Sequence, residues 1–321
     1  MKGSYRVIVE NNRLRYDFVI ERNITVIKDY SGTGKSTLIR MLEDSEKRGS
    51  TAVKCEKRCV AFSTVGDFWE DNIPRYSDMI LFFDEKCDCI MTKEFSKIVE
   101  NSNCYFVLVT RRSIGTLPYS IQSVFRITEI NRYTNLKHEN IFYGRYVNSN
   151  INLSVQKIDL VIVEVSNAGY EFFSKIFLDK CISAHGNGNV KDVLLDVEKS
   201  NCKNVLVIVD GAAFGAHIDS ILMICEKLKL QGIIVDILAW ESFEYILLKS
   251  SFLYRRYKNS IDGYENNIES SKFFSWEKYF TWLLEELTKG TIAEYSKSSL
   301  NKYYLSNRCI SSVMEELNIV G

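Results

Sequence analysis

The stretch VIKDYSGTGKSTL, residues 26–38, connects an apolar run to an amphipathic one through a loop that holds two glycines. The run that enters the loop, ITVIK at 24–28, is β-branched and apolar, which is typical of a strand buried on both faces. The residues that leave the loop, 36–47, place Leu38 and Leu42 on one side of a helix. The stretch therefore predicts a strand, a glycine-rich loop and a helix in direct succession, as at the start of a parallel α/β sheet.

The same alternation of apolar strands and amphipathic helices runs through most of the chain. We expect helices at 92–102, 169–182 and 217–232. We expect the strands in two series, at 5–9, 16–20, 24–28, 59–63, 79–85, 104–111 and 123–130, and then at 158–166, 203–214 and 233–240. Buried strands that alternate with helices predict an α/β fold with parallel sheets.

An Asn- and Ser-rich stretch, 146–157, separates the two series and is predicted to be a linker. The sequence thus predicts a first α/β domain at 1–147 and a second one at 156–258. The remainder, 259–321, is predicted to be a C-terminal helical segment, because apolar and aromatic residues repeat there at helical spacing.

The charge and the cysteine content indicate which partners and which compartment to expect. Lys+Arg and Asp+Glu number 41 each, and this zero net charge gives no general attraction to nucleic acid or to a membrane surface. The start of the chain has no signal-peptide pattern, and no 18 apolar residues follow one another, so we expect a cytoplasmic protein without a membrane span. The nine cysteines are interpreted as reduced thiols. The alternative is a zinc site, at a spacing unlike the common one, formed by Cys55, Cys59, Cys87 and Cys89.

The glycine loop has the chemistry of a phosphate-binding loop. Successive backbone N–H groups and a helix N-terminus supply partial positive charge without bulky side chains. Lys35 would reach the β- and γ-phosphates of a nucleotide, and the hydroxyl of Ser36 would bind Mg²⁺. The residues predicted to contact ATP are Ser31, Gly32, Thr33, Gly34, Lys35, Ser36 and Thr37.

Asp29 stands where the pattern G-x-x-x-x-G-K-[ST] has its first glycine. Asp tolerates left-handed backbone better than most residues, so the turn is expected to form. Its carboxylate near phosphates weakens binding unless it meets a cation such as Lys28. We therefore expect ATP–Mg²⁺ to bind more weakly than it would to an Asp29→Gly variant.

Carboxylates for hydrolysis follow the apolar run MILFF, at Asp84 and Glu85. Asp84 would hold Mg²⁺ through water, and Glu85 would orient or activate the attacking water. The next strand ends in LVTRR, where Thr110 could sense the γ-phosphate and Arg111 or Arg112 could neutralise its charge.

These two motifs resemble those of the P-loop NTPases, with DYSGTGKST as Walker A and ILFFDE as Walker B. The resemblance covers about residues 5–130. It implies a P-loop NTPase sheet that binds ATP with Mg²⁺ and hydrolyses it, with Lys35 and Glu85 as the catalytic residues.

The second series has an acid at the end of each of two apolar strands, Glu164 and Asp210. Acids at the carboxyl ends of parallel strands converge, and two of them could hold a second Mg²⁺. Residues 158–240 resemble the Toprim domain of topoisomerases, primases and OLD-type nucleases, with Ala212 at the second position of the expected Asp-x-Asp. The resemblance implies a domain that binds or cleaves nucleic acid. The loop HGNGN at 185–189 is either a phosphate-approaching loop or a surface turn.

Three functions compete at this point. The first is an ATPase coupled to a Toprim-like domain, an arrangement that resembles OLD-type nucleases and implies a role in bacterial defence or on a mobile element. The second is a nucleotide-dependent switch that recruits a partner protein and has an inactive second domain. The third is a small-molecule kinase. A homo-oligomer is expected in addition, because P-loop ATPases often complete their sites with a residue from a neighbouring subunit.

Overall fold

The computed structural model of the protein describes residues 1–28, 32–48, 51–130, 138–144, 153–165, 167–251 and 253–320. The chain forms two compact units. Unit 1 comprises Met1–Val147 and Gly263–Ser275, and unit 2 comprises Asn148–Asp262 and Trp276–Gly321. The segment predicted as separate and helical, 259–321, is thus divided between the two units.

Unit 1 is built on a nine-stranded sheet. Its strands are β1 (Tyr5–Glu10), β2 (Leu14–Ile20), β3 (Ile24–Lys28), β4 (Ala52–Lys54), β5 (Cys59–Phe62), β6 (Ile80–Phe83), β7 (Tyr105–Thr110), β8 (Val124–Ile130) and β9 (His138–Gly144). Their order in the sheet is β4-β1-β2-β9-β8-β3-β7-β6-β5. The five strands from β8 to β5 in this order are parallel. Strand β1 is antiparallel to β2 and β4, while β9 is antiparallel to β8 and parallel to β2.

The parallel strands form because their sequences are apolar on both faces. Every residue of β3, β6 and β7 is buried, as expected for strands covered on both sides. The helices of unit 1 are α1 (Lys35–Arg48), α2 (Trp69–Asn72) and α3 (Lys93–Glu100). Helix α1 buries Leu38 and Leu42 in the same apolar core as β6 and β7. Helix α3 begins where the hydroxyl of Thr92 accepts a hydrogen bond from the Phe95 N–H at 3.2 Å.

Unit 2 contains a four-stranded parallel sheet of β11 (Leu160–Val163), β12 (Cys181–Ser183), β13 (Asn204–Asp210) and β14 (Ile234–Trp240), in the order β12-β11-β13-β14. A short parallel pair joins β10 (Leu153–Ser154) to β15 (Ile319–Val320). The helices are α4 (Ala168–Phe177), α5 (Val190–Val197), α6 (Ile218–Leu230), α7 (Phe243–Ser250), α8 (Leu253–Asp262), α9 (Trp276–Thr288) and α10 (Asn307–Glu316).

The predicted α/β fold with parallel sheets is confirmed. One predicted helix, 169–182, is wrong in its last part, because α4 ends at Phe177 and the chain then forms strand β12. Leu178 has a φ of +53°, which ends the helix, and Cys181 pairs with Val161 of β11. The first part of the predicted linker, 146–152, lies outside the described residues. The rest of it, 153–157, forms β10 and a 3₁₀ turn.

In the part of the chain that the structure describes, no helix is both long enough and apolar enough to cross a bilayer.

Candidate functional sites

The glycine loop of unit 1 runs from the end of β3 at Lys28 to the start of α1 at Lys35. Gly32 and Gly34 both have a φ of +88°, in the left-handed region that favours glycine. Gly34 is also confined by its neighbours, because an added Cβ would lie 2.7 Å from the hydroxyl oxygen of Tyr16. That hydroxyl donates a hydrogen bond to the Gly34 carbonyl at 2.9 Å, which fixes the loop against β2. Two other predicted positions, Asp29 and Ser31, lie outside the described residues.

Lys35 is the first residue of α1, and its side chain folds back over the loop. It is only 5% exposed, and its Nζ donates a hydrogen bond to the Thr33 hydroxyl at 3.1 Å. The first turn of α1 contains no acidic residue. Ser36 is exposed at the same helix end, and Thr37 is half-buried. The loop therefore combines an ammonium group with the partial positive charge of a helix N-terminus, as an anion site requires.

Asp84 lies directly after β6, at the edge of the sheet where β3 and β7 also end. Its side chain is 2% exposed, and one carboxylate oxygen accepts a hydrogen bond from the Lys86 N–H at 3.2 Å. Since β7 lies between β3 and β6, the ends of β3 and β6 are separated by two strand spacings, or about 9–10 Å. The fold thus brings the predicted metal carboxylate to the same sheet edge as the glycine loop.

Glu85 and Arg111, predicted separately from two strand ends, form an ion pair. The Arg111 Nη2 lies 2.8 Å from Glu85 Oε1, and both side chains are partly exposed. Thr110, the predicted phosphate sensor, forms two hydrogen bonds through its hydroxyl in the turn after β7. It accepts a hydrogen bond from the Arg112 N–H at 3.0 Å and donates one to the Arg112 carbonyl at 2.9 Å. Lys28 donates a hydrogen bond to the Ser113 hydroxyl at 2.8 Å.

Unit 2 has a cavity of about 210 Å³ at the carboxyl ends of β11 and β13, which we call the acidic pocket. Glu164 and Asp210, the two predicted carboxylates, both line it. The Asp210 N–H donates a hydrogen bond to Glu164 Oε2 at 2.9 Å, and Asp210 Oδ1 accepts one from the Phe243 N–H at 2.9 Å. The fold therefore brings these two predicted residues into the same site.

Sequence reasoning missed three further residues of the acidic pocket. They are Glu244 near the start of α7, and Tyr295 and Lys297 from the segment after α9. The Tyr295 hydroxyl donates a hydrogen bond to Glu244 Oε1 at 2.8 Å, and Lys297 Nζ lies 3.9 Å from the same oxygen. The second oxygen of Glu244, Oε2, is buried and has no hydrogen-bond partner among the residues that the structure describes. Lys297 is also ion-paired with Glu277.

The crowding of carboxylates changes their protonation. Burial raises the pKa of Glu164 to about 8. Burial and the negative charges of Glu277, Glu164 and Glu244 raise the pKa of Asp210 well above its ordinary value. Burial of Lys297 opposes its charge, but Glu244, Glu277 and Asp210 together raise its pKa. The pocket thus favours the protonated forms of Glu164 and Asp210, whereas a bound cation would favour their ionised forms.

The chain has Ala212 where the predicted Asp-x-Asp pattern has its second acid. Ala212 is buried in the turn after β13 and its N–H donates a hydrogen bond to the Glu241 carbonyl at 3.1 Å. The additional carboxylate comes instead from Glu244, after β14. The HGNGN loop borders the pocket, since His185 and Gly186 line it and the Gly186 N–H donates to the Glu164 carbonyl at 2.8 Å.

The described residues do not contain a ready-made metal cluster. Among them, no group of three or more His, Cys, Asp or Glu side chains is arranged to hold a metal ion. The zinc alternative for the four cysteines therefore receives no support from the described part of the chain. The Lys57 N–H donates a hydrogen bond to the Cys55 sulfur, the Cys59 thiol donates one to the Lys57 carbonyl, and all nine thiols are free.

The chain was compared with models of protein families, with curated proteins and with solved structures, and no match was found in any of the three.

Proposed function

We propose that unit 1 binds ATP and hydrolyses it at the glycine loop. The observation that carries this proposal is the buried Lys35, whose ammonium is held 3.1 Å from the Thr33 hydroxyl above two glycines with a φ of +88°. An ammonium beside a helix N-terminus and successive loop N–H groups forms with them a positively charged site that suits an anion. A chain of phosphates offers that anion and also accepts hydrogen bonds from the loop N–H groups.

The residues at the sheet edge fit a bound Mg²⁺. Ser36 offers an exposed hydroxyl and Asp84 a buried carboxylate, and such hard oxygen ligands are the ones that Mg²⁺ prefers. When bound, Mg²⁺ would neutralise charge on the β- and γ-phosphates. Lys35 would exchange its contact with Thr33 for the phosphate oxygens. Glu85, oriented by Arg111, would accept a proton from the attacking water.

Measurements of nucleotide binding and phosphate release test this proposal on the purified full chain. We expect Lys35→Ala to weaken ATP binding roughly 100-fold or more, and Glu85→Gln to bind ATP while releasing phosphate roughly 100-fold more slowly. Negligible release by the wild type, equal to that of Glu85→Gln, would favour the nucleotide-dependent switch. Transfer of the phosphate to an added acceptor would favour the small-molecule kinase. Failure of the wild type to bind ATP would refute all three.

The acidic pocket supports a second candidate function, a Toprim-like role in which unit 2 binds a divalent cation and nucleic acid. The observation that favours it is Glu244 Oε2, which is buried beside Glu164 and Asp210 and has no partner among the described residues. Glu164 and Asp210, together with water, would hold Mg²⁺ or Mn²⁺, which would polarise a backbone phosphate. Lys297 would hold the phosphate oxygens.

Titration with Mn²⁺, followed by electron paramagnetic resonance, tests the cation site independently of activity. We expect Asp210→Asn to weaken Mn²⁺ binding, while Asp192→Asn, which removes an exposed acid on α5, leaves it unchanged. Incubation of the protein with DNA and with RNA in Mg²⁺ or Mn²⁺ then separates cleavage from binding. Equal Mn²⁺ binding by the wild type and Asp210→Asn would contradict the proposal.

We also propose a compartment, an oligomeric state and a biological role for the protein. The nine free cysteines favour a reducing compartment such as the cytoplasm. We expect a homo-oligomer whose neighbouring subunit completes the ATP site, and mass measurement with and without nucleotide tests this. A role in bacterial defence or on a mobile element rests on the resemblance to OLD-type nucleases alone.

A further inference from the structure

Unit 1 has a second cavity, of about 400 Å³, beyond the carboxyl end of β5. We call it the aromatic cavity, and its principal lining residues are Phe62, Trp69, Asn72, Ile73, Arg75 and Tyr76. Its volume lies in the range of small-molecule sites, which are mostly apolar with a few polar groups. Neither ATP binding at the glycine loop nor the acidic pocket uses these residues.

The rings of the aromatic cavity are held in place by the core beneath them. Phe62 stacks on Phe83 with 4.8 Å between the ring centroids, and Tyr76 meets Phe62 edge-on at 5.6 Å. The ring centroids of Trp69 and Phe95 lie 6.3 Å apart. Since Phe83 and Phe95 are fully buried, the walls of the cavity rest on a rigid support. A flat ring could therefore bind without first ordering these side chains.

The lining of the aromatic cavity includes one charged side chain, that of Arg75. Arg75 is exposed, and within the described part of the chain its guanidinium has neither a hydrogen bond nor an ion pair. The described residues that line the cavity include no acid. An anionic group that entered the cavity would thus meet Arg75, which can form two parallel hydrogen bonds to a carboxylate or phosphate.

We propose that the aromatic cavity binds a small, flat aromatic ligand that carries one negatively charged substituent. The ring packs against Phe62, Trp69 and Tyr76, and the charged substituent pairs with Arg75. Aromatic contacts and burial hold the ring, while the guanidinium selects the charge.

The surroundings favour a small ligand over a strand of nucleic acid. Asp67, Glu70 and Asp71 are exposed next to the cavity in the sequence, and their charges repel a polyanion. A ligand with a single charge reaches Arg75 without a long backbone that must pass these acids.

A pair of dyes with similar rings and different charge provides the test. The probes are 8-anilinonaphthalene-1-sulfonate, which is anionic, and N-phenyl-1-naphthylamine, which is neutral, each titrated by fluorescence against the full chain without nucleotide. We expect Arg75→Gln to weaken binding of the sulfonate about tenfold, the loss of one charge-assisted hydrogen bond. Binding of the neutral dye should change less than about twofold, because this dye has no charged group that pairs with Arg75.

Two further variants assign the dye to this cavity. Thr64→Trp fills the rim from an exposed lining position and should reduce binding of both dyes. Phe68→Ala removes a ring that is 73% exposed and does not line the cavity, so it should leave both dyes bound. Thermal unfolding of each variant checks that it is folded.

Three results would overturn the proposal. They are unchanged binding of the sulfonate by Arg75→Gln, unchanged binding of both dyes by Thr64→Trp, and displacement of the sulfonate by a twelve-residue oligothymidylate at micromolar concentration. The last result would assign the cavity to a single-stranded nucleic acid instead of a small ligand.

Discussion

The glycine loop of unit 1 and the acidic pocket of unit 2 occupy the same position in their respective sheets, at the carboxyl ends of parallel strands, but they have opposite charge. The loop gathers N–H groups and the ammonium of Lys35, which suit an anion. The pocket gathers three acids, Glu164, Asp210 and Glu244, and we propose that it binds a cation.

The two sites also differ in how the chain assembles them. The core of the loop comes from one continuous stretch, in which Gly34, Lys35 and Ser36 are neighbours in sequence. The acidic pocket draws on residues more than 100 positions apart, from Glu164 to Lys297. A local motif can therefore be found in a sequence, whereas a site assembled from remote segments is recognised only once the fold is known.

Removal of the Lys35 ammonium tests most directly whether the loop binds an anion. We expect Lys35→Ala to weaken ATP binding roughly 100-fold or more, because several charge-assisted contacts to phosphate are lost together. Lys47→Ala removes an exposed ammonium from the same helix and should leave affinity unchanged. Calorimetric titration with ATP and Mg²⁺ measures both. Similar losses in the two variants would mean that Lys35 acts only through general charge.

The two glycines of the loop allow a sharper test, since they share a φ of +88° and differ in their surroundings. Among the described residues, no atom lies within 4 Å of a Cβ added at Gly32, so Gly32→Ala should cost mainly the left-handed strain, about 1–2 kcal/mol of unfolding free energy. Gly34→Ala must in addition displace the hydroxyl of Tyr16, a residue that is 1% exposed, which adds about 1–3 kcal/mol.

Urea unfolding measures the difference between the two glycine variants, with Trp69 as the reporter of unit 1. A third variant, Tyr16→Phe combined with Gly34→Ala, removes the obstructing oxygen and should recover part of the extra cost. Equal stability of the two single variants would contradict the observed contact with Tyr16.

The acidic pocket should make the stability of unit 2 depend on pH. The pKa of Glu164 is about 8 in the folded protein against an ordinary value of 4.5, so the folded state retains a proton that the unfolded chain releases between these values. The free energy of unfolding must therefore fall as the pH rises from 4.5 to about 8 when divalent cations are removed. Asp210, whose pKa is also raised, acts in the same direction.

Unfolding at pH 5 and pH 8 with a chelator checks this dependence, in a Trp69→Phe background where Trp240, Trp276 and Trp282 report on unit 2. The variant Glu164→Gln should show a smaller fall in stability, because it has no proton to lose at this position. Mn²⁺ added at pH 8 should restore stability to the protein that retains Glu164. Stability that is equal or higher at pH 8 without cations would contradict the electrostatics of the pocket.

Much of the fold follows from the sequence, because buried parallel strands appear as continuous apolar runs. The same runs locate Asp84, Glu85, Glu164 and Asp210, each at or just after a strand end. Strand β12 was missed because its three residues continue an apolar helical pattern, and only pairing with β11 decides between the two structures.

The other residues of the acidic pocket had a weaker signal in the sequence, or none. Helix α7 begins just after β14, so an acid there, Glu244, could have been suspected by the same strand-end reasoning. Tyr295 and Lys297 lie outside the helices and strands, and no periodicity connects them with the pocket. Their approach to Glu244 is a product of tertiary packing.

The smallest expected effect concerns the two ion pairs that border these sites. Arg111 pairs with Glu85 in unit 1 with 55% of its side chain exposed, so solvent screening should limit the cost of Arg111→Gln to about 0.5 kcal/mol or less. Lys297 in unit 2 faces Glu277, Glu244 and Asp210, so Lys297→Gln leaves several carboxylates without their cation and should cost more. Urea unfolding in low and in high salt measures the stability of both variants. As the salt concentration rises, the stability loss of Arg111→Gln should disappear before that of Lys297→Gln. Equal costs, or a larger cost for Arg111→Gln, would mean that the lysine of unit 2 is screened as fully as the arginine of unit 1.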